Sequence, residues 1–389
     1  MNKKTIQYLI LLMMLQTSCS DKSAVNGLPY IDAGKNYPER EIILTDIAEV
    51  TYLYLNSDDD DYLYSGSINY ITENTVVVYD DVSGSVLFFS KDGMPKSRFN
   101  RRGQGPEEYI RAFRLFYDEA ADDVYIMDNR GVHIQVYSST GMYKKKITLP
   151  QGMMAMNDIV SFDESSFLFH DVNTIIKRVN AEYENLSKED WISTFYRISK
   201  VDGSVLDYFE LPMLPIILAI NYEGMRVFPR AKYYILKNKE GALVGNPESD
   251  TVFLYRKNQP LLPVIYKTPS VASTDPMTYL NNCVDVGSYQ FMEIFTMSLG
   301  FPVKHYMRDK KTGEIFRQKL LLPDYKGKEV FIAPSVTGRN YENGIYFELD
   351  LYELKEADRE NKLSGKLKEL VDTLNEDEDN NVFLLVNFK

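Results

Sequence analysis

The sequence predicts an all-β fold, a six-bladed β-propeller, from three observations: a 48-residue repeat, strand-and-turn chemistry within each repeat, and closing elements at the C-terminus. Val76-Val77-Val78-Tyr79-Asp80 lies 48 residues before Val124-Tyr125-Ile126-Met127-Asp128. The same offset carries Val86-Leu87-Phe88-Phe89 onto Ile134-Gln135-Val136-Tyr137, Asp92-Gly93-Met94 onto Thr140-Gly141-Met142, and Phe99 onto Ile147. Each unit is a β-branched and aromatic run, an Asp-led turn, a second run, a Gly-closed turn and a third strand. A period of about 40–50 residues with three or four short strands is the signature of a propeller blade.

A third copy starts at Phe167-Leu168-Phe169-His170-Asp171 and resumes at Phe195, with an insertion near 180–194 that includes the single tryptophan, Trp191. Fainter copies follow at Ala242–Tyr255, Lys304–Gly313 and Gly344–Phe347. Six units of 48 residues occupy 288 of the 371 residues left after residues 1–18, and seven blades is the alternative count. Near the C-terminus Leu363, Leu367, Leu370, Val371 and Leu374 share one helical face, which predicts a short helix near 358–375. Val382–Val386 reads as a last buried strand, expected to share a blade with the chain around Ile42-Ile43-Leu44 and so close the ring.

Composition sets outer limits on function. The chain has 389 residues, 44 Lys+Arg against 56 Asp+Glu, and a net charge of −12. An acidic balance without a basic stripe argues against nucleic acid as a partner. Two cysteines build neither a disulfide scaffold nor a four-thiolate zinc site. The N-terminus combines Lys3-Lys4, an apolar run Ile6–Leu15 and Gln16-Thr17-Ser18 before Cys19; the run is too short to span a bilayer and reads as an export signal. Residues 1–18 are expected to be a lipoprotein signal peptide, with lipidation at Cys19 anchoring the chain in the outer membrane, facing either side. Residues 19–38 then form a flexible tether, residues 39–389 form the propeller, and Cys283 is a buried, inert thiol.

Gly103-Gln104-Gly105-Pro106-Glu107-Glu108-Tyr109, followed by the acidic turn Asp118-Glu119 and Asp122–Asp128, resembles one NHL/TolB-like propeller repeat. With Cys19, Ser249-Asp250-Thr251-Val252-Phe253 and Glu378-Asp379-Asn380-Asn381-Val382-Phe383-Leu384, it is similar to the six-bladed β-propeller lipoproteins of Bacteroidetes-type bacteria. The family usually has glycine at the position of Glu107 and proline at that of Asn381. The resemblance implies architecture and an envelope location, and is nearly silent on activity.

The candidate site residues are few. Two glycines and a proline give Gly103–Pro106 a tight turn, and the segment lacks the ending of a phosphate loop. Its functional alternative puts Arg101, Arg102 and Gln104 at one mouth of the propeller, contacting a ligand. Asp80 and Asp128 recur at equivalent strand ends, which predicts a turn role or, alternatively, a carboxylate ring at the channel. Asp58–Asp61 and Glu376–Asp379 read as solvated acidic loops, because consecutive carboxylates cannot all turn inward on one cation. His133, His170 and His305 have no metal spacing, and no zinc-hydrolase or serine-elbow motif occurs, so no metal, cofactor or catalytic residue is assigned. The functional expectation is a non-enzymatic ligand-binding or protein-interaction scaffold at the cell envelope, with an envelope protein or a glycan as ligand. The alternative is a propeller enzyme, a hydrolase or lyase on glycan or peptide, with its active site at the channel mouth.

Overall fold

The computed structural model describes residues 24–25, 27–128, 133–150, 158–171, 186–187, 191–229, 233–336, 344–376 and 378–388. Before the ring proper come β1 (Ala24–Val25), β2 (Leu28–Asp32), β3 (Glu39–Ile43), the short helix α1 (Leu44–Ile47) and β4 (Ala48–Tyr54). Blade 1 is β5 (Gly66–Ile71), β6 (Thr75–Asp80), β7 (Val86–Ser90) and β8 (Pro95–Phe99). Blade 2 is β9 (Ala112–Asp118), β10 (Asp123–Asp128), β11 (His133–Tyr137) and β12 (Tyr143–Thr148). Blade 3 is β13 (Ile159–Asp163), β14 (Ser166–His170), β15 (Ile192–Ser199) and β16 (Val205–Pro212).

A small hairpin, β17 (Ile220–Tyr222) and β18 (Met225–Val227), separates blade 3 from blade 4. Blade 4 is β19 (Ile235–Asn238), β20 (Gly241–Gly245), β21 (Thr251–Tyr255) and β22 (Leu262–Thr268). Blade 5 is β23 (Thr278–Val286), β24 (Tyr289–Thr296), β25 (Val303–Asp309) and β26 (Ile315–Leu321), with β27 (Glu329–Val330) beside β26. Blade 6 joins β28 (Ile345–Leu349) and β29 (Val382–Phe388) to β4. Six sheets in sequence order make the expected six-bladed propeller.

The innermost strands β5 and β9, β13 and β19, and β19 and β23 touch one another around the axis. Second and third strands are sandwiched between neighbouring blades, so they read as continuous apolar runs rather than alternating ones. Val76, Val77, Val78, Val86 and Phe89 are all fully buried. Aromatic rings fill the wedges: Phe88 meets Tyr117 at 5.2 Å, Phe116 meets Phe167 at 5.4 Å, and Phe209 stacks between Phe195 at 5.0 Å and Tyr255 at 4.5 Å. Each buried ring contributes about 1.5–3 kcal/mol.

Three expectations change. Residues 28–32 of the expected tether form β2, which adds in parallel to β22 (Tyr30 opposite Tyr266, Asp32 opposite Thr268). The stretch around Ile42 does not meet the last strand: β3 lies parallel to β26, with Glu39 opposite Arg317 and Glu41 opposite Lys319, both pairs ion-paired. β29 closes the ring on β4 instead (Leu384 opposite Tyr52). The N-terminal segment thus runs along the edges of blades 4 and 5 before completing blade 6. The C-terminal helix is two helices, α2 (Leu351–Arg359) and α3 (Gly365–Asp372), inserted between β28 and β29. Asp350 caps α2 by accepting from Glu353 N at 2.9 Å, and Leu367 and Val371 bury the apolar face of α3. Most of the insertion near 180–194 lies outside the described residues, but Ile192–Thr194 already belong to β15.

Antiparallel order fixes two faces. Turns from first to second and from third to fourth strands lie on one face, here the first-turn face. Turns from second to third strands and the inter-blade connections lie on the other, the crossover face.

Candidate functional site

On the first-turn face the innermost turns of blades 1 to 4 surround an open cavity of about 670 Å³ at the mouth of the channel. Such a volume suits a small ligand. Blade 1 contributes Tyr70, Ile71, Thr72 and Glu73, blade 2 Tyr117, Asp118 and Glu119, and blade 3 Ser161, Asp163, Glu164, Ser165 and Lys200. Blade 4 adds Lys237 and Lys257. Carboxylates therefore come from blades 1 to 3, and ammonium groups from Lys200 of blade 3 and from blade 4.

Some of these groups also build the wall. Glu119 reaches into the first turn of blade 1, accepting from Thr72 Oγ1 at 2.9 Å, Thr75 Oγ1 at 2.5 Å and Asn74 N at 3.3 Å. Burial alone would raise its carboxyl, but hydrogen bonds from Thr75, Thr72 and Asn74 prevail and hold it below the usual range. Asp163 is lowered in the same way: burial opposes, while Ser166, Ser165 and, at 3.7 Å, Lys257 outweigh it. Lys200 is only 5% exposed and lays its ammonium over Tyr125 at 5.4 Å and Phe167 at 5.3 Å. Glu73 and Glu164 are exposed on the rim. The site thus offers fixed charges of both signs, hydroxyls and the tyrosines Tyr70 and Tyr117.

Of the motifs quoted from sequence only the acidic turn Asp118-Glu119 lines this cavity; none of the candidate ligand-binding residues Arg101, Arg102, Gln104, Asp80 and Asp128 does. Arg101 donates through Nε to Gly141 O at 2.9 Å, and Arg102 through Nη1 to Val82 O at 2.9 Å. Their segment is the connection from β8 to β9, and its arginines satisfy turn carbonyls of blades 1 and 2. Tyr109, fully buried, donates to Gly84 O at 2.7 Å, and Glu108 accepts from Gly105 N at 2.7 Å, while Gln104 is exposed beside them. Asp80 ends β6 on the crossover face and accepts from Ser65 N at 3.2 Å, Val82 N at 3.0 Å and Ser83 N at 3.3 Å, the turn role. Asp128 is fully buried at the matching end of β10, beside a register shift. Cys19 lies outside the described residues, and Cys283 is a buried free thiol.

Other motifs resolve into structure. Asp59 caps Asp61 N at 3.0 Å and Asp61 pairs with Arg98. The acidic loop before β29 is tied in rather than solvated throughout: Asp379 accepts from Tyr54 Oη at 2.5 Å and Ser57 Oγ at 3.0 Å, and Asn380 Nδ2 donates to Leu55 O at 2.9 Å. His170 stacks on Tyr234 at 4.0 Å and shares a hydrogen bond with Ser193 Oγ at 2.7 Å.

Toward the crossover face of blade 5, Glu293 is fully buried, takes hydrogen bonds from Asn281 Nδ2 at 2.6 Å and from Ser335 Oγ, and faces His305 Nε2 at 4.0 Å. Burial raises its carboxyl above the ordinary 4.5, against those hydrogen bonds, and burial lowers His305. The folded carboxyl keeps its proton to higher pH than the unfolded one, so its stabilising contribution is complete below pH 4.5 and is lost as pH rises through the folded value. In urea unfolding from acid to neutral pH, Glu293→Gln is expected to gain stability relative to wild type as pH rises. A pH-independent difference between the two would contradict this assignment.

The comparisons with known proteins agree with the architecture. A family model described as a 6-bladed beta-propeller (DUF5128) matches residues 20–205. A solved protein from Bacteroides fragilis, described as exported, is similar over 92% of this chain and 99% of its own, with TM-score 0.62 and 17% identity. A DUF4221-family structure from Bacteroides vulgatus covers 88% of this chain and 97% of its own at TM-score 0.46 and 10% identity. Virginiamycin B lyase from Staphylococcus aureus covers 66% and 73% at TM-score 0.34 and 13% identity. No curated protein matches the chain. The six sheets and the family model establish the fold as a six-bladed β-propeller.

Proposed function

We propose that the protein is an exported, lipid-anchored propeller of the cell envelope that binds a polar, mixed-charge ligand at its first-turn mouth without transforming it. The cavity of about 670 Å³, lined with both carboxylates and lysines, carries this reading. A ligand bearing hydroxyls, a carboxylate and an amine would satisfy both signs of charge in such a mouth. Hexosamine oligosaccharides carrying a short peptide, the chemistry of an envelope glycan, combine those groups. Export and anchoring rest on the signal before Cys19 and on the exported description of the similar Bacteroides fragilis protein.

The test is calorimetric titration of the purified chain with soluble muropeptides. Binding is expected, with Glu164→Ala and Lys237→Ala each weakening it about tenfold, or 1.4 kcal/mol. Flat titrations, or equal affinity in wild type and both variants, would remove the mouth as the site. For the anchor, metabolic labelling with a fatty acid is expected to mark wild type and to be lost in Cys19→Ala; equal labelling would exclude it.

A further inference from the structure

We propose that the outer edge of blade 3 is a docking strand that pairs with an extended lysine- or arginine-bearing segment of a partner protein. The other edges of the ring set the comparison: β4 of blade 6 also ends its sheet without lysine, arginine or proline, but its apolar side chains are buried or half-buried. β22 of blade 4 is covered by β2, and β26 of blade 5 by β3. β8 of blade 1 is guarded by Pro95, Lys96 and Arg98, and β12 of blade 2 by Lys144, Lys145 and Lys146, the residue types that discourage edge pairing. β16 of blade 3 has, among the described residues, no outer partner, and its one guarding residue, Pro212, stands at its last position. It is eight residues long, reads Val-Leu-Asp-Tyr-Phe-Glu-Leu-Pro, and contains no lysine or arginine. Val205 is 44%, Leu206 45% and Tyr208 60% exposed, and Val201 in the preceding turn is 72% exposed.

The molecule itself shows what such an edge accepts. β3 adds to β26 with Glu39 against Arg317 at 2.5 Å and Glu41 against Lys319 at 3.0 Å, an acidic strand on a basic one. β16 offers the reverse pattern, with Glu210 and Asp207 exposed among apolar side chains, Asp207 Oδ1 also accepting from Tyr208 N at 2.8 Å. Backbone hydrogen bonds along the edge would supply affinity, and alternating basic and apolar side chains would supply specificity. A second copy of this chain fits less well. Antiparallel pairing of β16 with itself can set Asp207 against Glu210, a repulsive arrangement. Most basic groups on the edges of another copy are already engaged: Lys144 pairs with Asp123 at 2.7 Å, Lys145 donates to Lys200 O at 3.0 Å, Lys96 lies 3.8 Å from Glu119, and Arg98 pairs with Asp61, which leaves the exposed Lys146 of β12.

The probe is a labelled acetyl-Lys-Val-Arg-Val-Lys-Val-amide peptide, with acetyl-Glu-Val-Asp-Val-Glu-Val-amide as its acidic counterpart, followed by fluorescence anisotropy and hydrogen exchange. The basic peptide is expected to bind the full chain at least about tenfold more tightly than the acidic one. It should slow exchange at residues 205–212, and lose about tenfold in affinity in the exposed-position variants Leu206→Lys and Tyr208→Lys. Lys237→Ala, at the channel mouth, should leave it unchanged, so this edge and the mouth fail or stand separately. Equal binding of the two peptides, or protection outside blade 3, would overturn the assignment. Concentration-dependent dimerisation abolished by Tyr208→Lys would overturn it in favour of self-association.

Discussion

Asp250→Ala is expected to cost about 3–5 kcal/mol, because it strands a buried ammonium group. Lys267 sits on β22 with its side chain fully buried, and Asp250 Oδ1 is 3.2 Å from its Nζ. Burial lowers the Lys267 ammonium, while Asp250 opposes that shift. The same carboxylate accepts from Val271 N at 3.0 Å and Ser270 Oγ at 2.7 Å, and so pins the chain leaving blade 4. Asp250 also has φ of 60°, a conformation that asparagine tolerates better than alanine. The order of stability in urea should therefore be wild type, then Asp250→Asn, then Asp250→Ala. Adding Lys267→Met to Asp250→Ala should recover part of the loss, since the uncompensated charge is gone. A loss below about 1 kcal/mol in Asp250→Ala would show that the pair is not buried as described.

Phe383→Ala is expected to destabilise the ring by about 3–5 kcal/mol. β29 is the middle strand of blade 6, held on one side by β28 and on the other by β4, and Phe383 is fully buried. Its ring packs in a cluster with Leu53, Leu55, Ile68, Val76 and Phe89, which spans blades 6 and 1. The vacated volume therefore opens at the seam where the two chain ends meet, a place where neither blade can collapse alone. Thermal unfolding of Phe383→Ala against Met94→Ala, which removes a half-exposed side chain from a turn, separates closure from general truncation. Similar midpoints for the two would contradict the closure role of β29.

How far the fold could be read from sequence depended on whether a contact leaves a local signal. β6 and β10 begin and end 48 residues apart, as the repeat of Val76–Asp80 in Val124–Asp128 requires. Periodic, sandwiched strands announce themselves through apolar runs and Gly-closed turns. Edge additions do not: β2 pairs with a strand more than two hundred residues away, and residues 28–32 carry no pattern that names β22. The one local trace of β3 is its charges, since Glu39 and Glu41 lie opposite Arg317 and Lys319.

The site was less legible. Glu73, Glu119 and Glu164 recur at intervals of 46 and 45 residues at the ends of the innermost strands, and the acidic turn at Asp118-Glu119 was the visible member of that set. Blade 4 breaks the series, with Lys239 and Glu240 in its first turn and Lys237 reaching the cavity from β19, so recurrence alone does not reveal a mouth of mixed charge. Arg101 and Arg102 were conspicuous through their Gly-rich surroundings, yet that turn exists to bridge blades 1 and 2, and its arginines are bound to backbone carbonyls. A conspicuous turn in a propeller is first a structural joint.

The central claim is that ligand binds at the first-turn mouth between blades 1 and 4. A crystal structure of the chain with a bound muropeptide tests it most directly. The expected density lies in the cavity of about 670 Å³, with an amine toward Glu73 or Asp118 and a carboxylate toward Lys237 or Lys257. Density at the crossover mouth, beside Asp158 and Tyr234, with the first-turn cavity empty, would contradict it.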